Sequence, residues 1–261
     1  MSDYLALALG DHDPWLIVYG CAVVFVCAIV RGFSGFGFSL LAITAISLLM
    51  PPSAVIPSIF MLEVAASLHL LPGVWKDVHW RSLIWLIVGC LIATPLGVWA
   101  LASVPEAPMK IAMAVFVLVA AFAFFRGFRL KTMPNAATTF ATGLATGVAN
   151  GGFGMAGPPV VLFYFGSPAG NEAGRASLIA FFIATDLMGL GYLGAADLIT
   201  WDSLRLALWF VLPLLIGVTI GARGFIHMDP MRFRRYVLYI LMALGVLALA
   251  NGVLQLIAPT A

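Results

Sequence analysis

The residues able to do chemistry in this sequence fall into two glycine-rich clusters and a few ionisable side chains set among apolar ones. The first cluster runs Gly32-Phe33-Ser34-Gly35-Phe36-Gly37 directly after Arg31, and the second runs Asn150-Gly151-Gly152-Phe153-Gly154. Glycine disfavours helix and accepts unusual backbone angles, so each cluster predicts a break in an apolar helix. The amides exposed at a break, with the positive end of the helix that follows, suit an anion. Ser34 and Asn150 add hydrogen-bonding side chains, and Arg31 adds a guanidinium whose fork matches a pair of anionic oxygens. The expected binding set is therefore Arg31, Ser34, Gly35, Phe36, Gly37, Asn150, Gly151, Gly152, Phe153 and Gly154. Two plainer readings stand beside it. The glycines can serve only to let helices pack closely, and Arg31 can be a helix-end arginine reaching the membrane interface.

Glu63 and Asp186 lie inside apolar runs in comparable parts of the two halves of the chain. An ionisable group there is costly, so a role in proton coupling is the default expectation; the alternative is a structural ion pair with Arg31 or Arg175. His69 reads better as a hydrogen-bonded packing residue than as a proton relay. Gly32-Phe33-Ser34-Gly35 also fits the G-x-S-G form of an intramembrane serine protease. That chemistry needs a histidine on a later helix, and those available are His69, His79 and His227. His79 and His227 fall in predicted loops, so an enzyme is not expected. No Cys/His metal spacing occurs, and neither a metal nor a cofactor is expected.

These residues need a scaffold, and composition names its solvent. Of 261 residues, 63% are hydrophobic and 9% charged, against about 25% charged in an ordinary soluble domain. The chain reads as an all-α polytopic membrane protein, because backbone groups in lipid must be satisfied within each segment. A net charge of +2 without a basic block gives no footprint for nucleic acid. Cys21, Cys27 and Cys90 all sit in apolar segments, which predicts reduced thiols. The start MSDYLALALGDHDP is acidic where a secretory signal would be basic.

Apolar segments are expected near 15–30, 38–50, 54–72, 82–101 and 109–125, then near 138–149, 158–168, 175–194, 203–221 and 232–256. The two sets look alike. Ala65-Ala66-Ser67-Leu68 matches Ala184-Thr185-Asp186-Leu187, Trp80-Arg81-Ser82-Leu83 matches Trp201-Asp202-Ser203-Leu204, and Pro108-Met109-Lys110 matches Pro230-Met231-Arg232. A duplication with repeats at 14–127 and 137–256 is expected within one transmembrane domain, 1–261. Each repeat would hold a broken or re-entrant glycine-rich hairpin plus three transmembrane helices. If each hairpin returns to its own side, Lys76–Arg81, Arg126–Lys131 and Arg223–Arg235 share the cytoplasmic face, and both termini lie outside. Five elements per half make the repeats inverted, and the two glycine turns are then expected to meet near the midplane.

At these clusters the sequence resembles the sulfite exporter TauE/SafE family. The motifs stand as RGFSGFGFSLL at 31–41 and GVANGGFGMAGPPVVL at 147–162, with Phe36, Phe38, Phe153 and Met155 where the family more often has glycine. The resemblance covers nearly the whole chain. It implies a duplicated membrane domain that moves sulfite, sulfoacetate or a related organosulfonate across the bacterial inner membrane. A passive anion channel is the rival reading. The expected partners are a small anion and the lipid bilayer, with a homodimer left open.

Overall fold

A 21-residue helix of almost unbroken apolar sequence, α1 (Pro14–Ser34), opens the structure. At 1.5 Å per residue it spans about 31 Å, enough to cross the hydrocarbon. The chain is seen in a computed structural model that describes residues 14–126, 134–168, 171–224 and 230–257. The acidic start, most of the Arg126–Lys131 loop and His227 lie outside the described residues.

Gly35 and Gly37 end α1 by taking positive φ values of 78° and 91°, a region that costs any residue with a Cβ. The chain then reverses into α2 (Phe38–Ile46), nine residues buried on every side and only about 13 Å long. Its far end returns alongside the start of α1, where Tyr19 Oη donates to Ala45 O at 2.9 Å. Prolines 51 and 52 then start α3 (Pro52–Leu70), since proline suits the first turn of a helix and cannot continue the one before it. Two short 3-10 turns, 71–73 and 75–77, lead into α4 (Trp80–Ser103), followed by α5 (Glu106–Arg126).

The same plan follows from residue 136. Helix α6 (Ala136–Phe153) is capped by Asn135, whose side chain accepts from Thr138 N at 2.8 Å. It ends on Gly154 at φ 67°, with Met155 N donating back to Ala149 O at 3.2 Å, a left-handed glycine stop. Pro158 and Pro159 open the ten-residue α7 (Gly157–Gly166). Then come α8 (Asn171–Ala195), α9 (Trp201–Gly224) and α10 (Pro230–Ile257). Among the described residues there are thus ten helices, of which seven are long and apolar enough to span a membrane: α1, α3, α4, α5, α8, α9 and α10. Lipid-facing leucines and isoleucines such as Leu208, Leu212, Ile216 and Ile220 stand exposed along α9. Exposed Trp15, Trp99 and Trp201 mark one end of the bundle and the packed pair Trp75 and Trp80 the other, as tryptophans do at membrane interfaces. This is a multi-pass membrane protein.

Glycines set how the helices pair. A Cβ on Gly151 would collide with Thr94 O and Val98 N, and one on Gly97 with Val148 O and Gly152 N, so α4 and α6 lie backbone to backbone and parallel. In the same way Gly32 meets Val218 and Ala222 while Gly221 meets Ile29 and Phe33, which makes α1 and α9 a second parallel pair. The reading of glycines as packing residues therefore holds for Gly32 and Gly151. Gly189 of α8 meets Phe60 of α3, and Gly245 and Gly252 of α10 meet Leu118 and Ile111 of α5; these pairs run antiparallel. Odd-numbered helices thus run one way and even-numbered helices the other. Lys76, Arg81, Arg126 and Arg223 gather at one end, while the start of α1 and the end of α10 share the opposite end.

One expectation fails. Because α1 and α6 are long arms and α2 and α7 short ones, the glycine turns overshoot the middle of the bundle. Gly35 lies against Arg175 near the start of α8, and Gly154 lies against Ile43 and against Ile56 near the start of α3. Helices α3 and α8 are antiparallel, so those two starts are at opposite ends, and the turns are roughly 20 Å apart along the bundle axis.

Candidate functional site

What does converge at the centre lies one turn before each break. Arg31, in the last turn of α1, is fully buried at 0% exposure. Its guanidinium is turned into the bundle rather than toward an interface. Nη1 donates to Gly35 O, and Nη2 donates to Ser67 Oγ at 2.8 Å and pairs with Glu63 Oε2 at 3.0 Å. The Phe182 ring covers one face, 4.6 Å from Cζ, a stacked cation–π contact. Of the two readings of Arg31, the helix-end arginine reaching the interface is ruled out by this burial.

Glu63 is 1% exposed and lies about 16 Å into α3, far from either end of the helix. Its Oε1 accepts from Ser39 N at 3.2 Å. Ser39 is the second residue of α2, whose N-cap, Gly37, offers no side chain to the free amides of the first turn. Glu63 thus fills two needs at once: it balances Arg31 and caps the positive end of a short buried helix. Asp186, on α8, is 2% exposed, and its Oδ2 has no hydrogen-bond partner among the described residues; it sits in the field of both Glu63 and Arg31. Asn150, fully buried, donates from Nδ2 to the carbonyl of Thr185, the residue before Asp186, at 3.2 Å. Its Oδ1 has no hydrogen-bond partner among the described residues.

The remaining expected residues play other parts. Ser34 Oγ stays within the turn, 2.7 Å from Val30 O and 2.8 Å from Phe36 O. Phe36 and Phe153 lean on α5, with ring centroids 6.2 Å from Phe124 and 5.3 Å from Phe116. Gly151 is a packing residue, Gly152 lies at ordinary distance from Gly97, and Gly154 is a helix stop against Ile43 and Ile56. Gly37 supplies the reversal into α2, and Gly35 supplies both a positive φ and the carbonyl that holds Arg31. His69 Nε2 lies 3.3 Å from Thr219 Oγ1 and His79 Nδ1 lies 2.8 Å from Ser82 Oγ, so neither serves Ser34 as a base.

Ser39, Ser67 and Phe182 join the site without having been expected there, and Arg175, expected only as an alternative ion-pair partner, lies at its edge. Arg175 Nη2 donates to Gly32 O at 3.0 Å, bringing a second guanidinium to the first glycine turn. Ser67 had a signal available, since it lies one helical turn beyond Glu63 on the same face. Nothing local marked Phe182 or the Ser39 amide. The result is a buried cluster of two carboxyl groups, an arginine, a helix start and an aromatic ring.

The model of the family described as Sulfite exporter TauE/SafE matches residues 20–248. A protein of Cupriavidus necator described as a probable sulfite/organosulfonate exporter TauE is 28% identical over 163 residues, 60% of this chain and 62% of the relative. The match therefore spans less than two thirds of that relative's length. No solved structure gives a significant match. A family match over most of the chain, on a helical bundle broken where the glycine motifs fall, makes this protein a member of the TauE/SafE family, a transporter family and not an enzyme family.

Proposed function

We propose that this protein is a secondary transporter that exports a small sulfur oxyanion, sulfite, sulfoacetate or another organosulfonate, across the bacterial inner membrane, coupled to protons. The observation that carries the reading is a buried arginine at mid-bundle paired with a carboxylate that also accepts from a helix start, an arrangement suited to holding an oxyanion and releasing it. Arg31 is the ligand, Glu63 and Asp186 are the candidates for proton coupling, and the Cupriavidus necator relative's name supplies the sulfur chemistry. Asn150 borders the site through Thr185. The glycine turns shape the site's edges.

The pairing of helices supports two inverted repeats, 14–127 and 137–256, forming one transmembrane domain. Helix α1 packs on α9 as α6 packs on α4, and α3–α8 and α5–α10 are the antiparallel pairs that a two-fold exchange of the halves would leave in place. In each half a long helix and a short returning one form the re-entrant hairpin. The end bearing Lys76, Arg81, Arg126 and Arg223 faces the cytoplasm. Cysteines introduced singly in a cysteine-free background test this. Membrane-impermeant maleimide added outside is expected to label positions 103 and 197 and to spare position 76; labelling of 76 alone would invert the orientation.

Purified protein in proteoliposomes tests the transport reading. Radiolabelled sulfite or sulfoacetate is expected to exchange against unlabelled anion inside, with taurine, a zwitterion, competing poorly. Exchange identifies a carrier; uptake that unlabelled internal anion fails to accelerate identifies a channel instead.

A further inference from the structure

The cradle around Arg31 already holds an anion, and that anion is the protein's own. The carboxylate of Glu63 meets the guanidinium at 3.0 Å and the Ser39 amide at 3.2 Å. Around it lie the start of α2, whose N-cap Gly37 offers no side chain, the Ser67 hydroxyl bound to Arg31 at 2.8 Å and the Phe182 ring. These are the donors an oxyanion needs. The fit is incomplete, since among the described residues Arg31 Nε on the donor side and Glu63 Oε2 on the acceptor side are buried without a hydrogen bond. A carboxylate offers two oxygens to this cradle, whereas a sulfonate or sulfite offers three.

We infer that Glu63 is an internal competitor of the substrate: the ionised carboxylate and the transported oxyanion occupy Arg31 in turn, so each anion crosses with the proton that Glu63 takes up. This rests on the transport reading above. With Glu63 paired to Arg31 and Asp186 within electrostatic reach of both, a further anion would enter a cluster that already holds two carboxyl groups. A proton from water that binds the Glu63 carboxylate removes one negative charge, breaks the ion pair and leaves Arg31 and the Ser39 amide to the incoming sulfonate. When the anion leaves, the proton leaves as well and the carboxylate closes on Arg31 again. No bond to sulfur forms or breaks. The cargo then carries one negative charge fewer than the free anion.

The charged and titratable neighbours single out Glu63. From α1 it faces Arg31. From α8, Asp186 is within its electrostatic reach, and Arg175 is within that of Arg31. Helix α2 has no titratable residue. On α9, Asp202, Arg205 and Arg223 sit toward the ends, and His69 on α3 itself contacts Thr219, about 9 Å farther along. From α4, Cys90 approaches Asp186, and on α5 Lys110 is paired with Glu106 at 2.7 Å. Among the described residues, Glu63 is the carboxylate near the centre that touches both Arg31 and the Ser39 amide.

Calorimetry on the purified protein with sulfoacetate and methanesulfonate, whose charges stay fixed between about pH 6 and about pH 8, tests the inference. Wild-type affinity is expected to weaken up to about tenfold per unit rise in pH, the signature of one proton bound with the anion. Glu63→Gln, a fixed mimic of the protonated side chain, is expected to bind at about pH 8 at least as tightly as wild type at about pH 6, with no slope, while Asp186→Asn keeps the slope. Wild-type titrations in buffers of different ionisation enthalpy count the protons without any variant, and about one per anion is expected. An unchanged slope in Glu63→Gln, a slope lost in Asp186→Asn alone, or no proton uptake by wild type would each overturn the inference while leaving anion binding intact. No binding of either anion, or of sulfite, at any pH would overturn the transport reading and the inference with it.

Discussion

Arg31→Ala is expected to destroy both transport and stability, and the second loss is reversible by a second change. Removing the guanidinium strands Glu63 at 1% exposure beside Asp186, and breaking a buried pair from one side costs about 3–5 kcal/mol because a charge is left uncompensated. The double variant Arg31→Ala/Glu63→Ala removes both charges and is expected to recover most of that stability while transport stays absent. Thermal melting followed by size-exclusion chromatography reads the first quantity and vesicle uptake the second. If the double variant were as unstable as the single one, packing by the long arginine stem rather than charge would be holding the helices. Arg31→Lys keeps the charge but gathers its donors on one nitrogen, where the guanidinium spreads them over Nη1 to Gly35 O and Nη2 to Ser67 and Glu63. It is expected to weaken anion binding by about 1–3 kcal/mol.

Two adjacent glycines should respond in opposite ways. At Gly151 even a methyl group would run into Thr94 O and Val98 N, backbone atoms that cannot rotate aside. Gly151→Val should push α4 and α6 apart and cost about 3 kcal/mol or more, at the upper end for overpacking. Little monodisperse protein is then expected from detergent extraction. At Gly152 the nearest atom to an added Cβ is Gly97 O at 3.5 Å, ordinary contact. Gly152→Ala is therefore expected to fold, to melt within about 0.5 kcal/mol of wild type and to transport. Bulk at the second cluster thus acts through helix packing. Equal loss in the two variants would return both glycines to the lining of an anion site.

Much of the architecture was legible because lipid leaves the backbone few options. Apolar runs of sufficient length had to be helices, glycines 35, 37 and 154 had to be where those helices stop, and Pro51-Pro52 and Pro158-Pro159 where the chain restarts. The family was legible in the two motifs. Arg31, Glu63 and Asp186 could be picked out one at a time because an ionisable residue in an apolar run is expensive wherever it points.

Their relation to each other was not written in any local pattern. The spacing of 32 residues between Arg31 and Glu63, and of 123 between Glu63 and Asp186, carries no periodicity; the three meet because α1, α3 and α8 cross at one level. The depth of the glycine turns also depended on arm length. A 21-residue helix followed by one of nine carries its turn past the middle, whereas equal arms would have left it there. Composition and motif therefore determined the solvent, the helices, their breaks and the family, since each follows from a residue and its chain neighbours. Which carboxylate faces the arginine, which amide completes its cradle and which glycines serve packing were decided only by tertiary structure, because each depends on residues distant in sequence that close packing brings within about 3–4 Å.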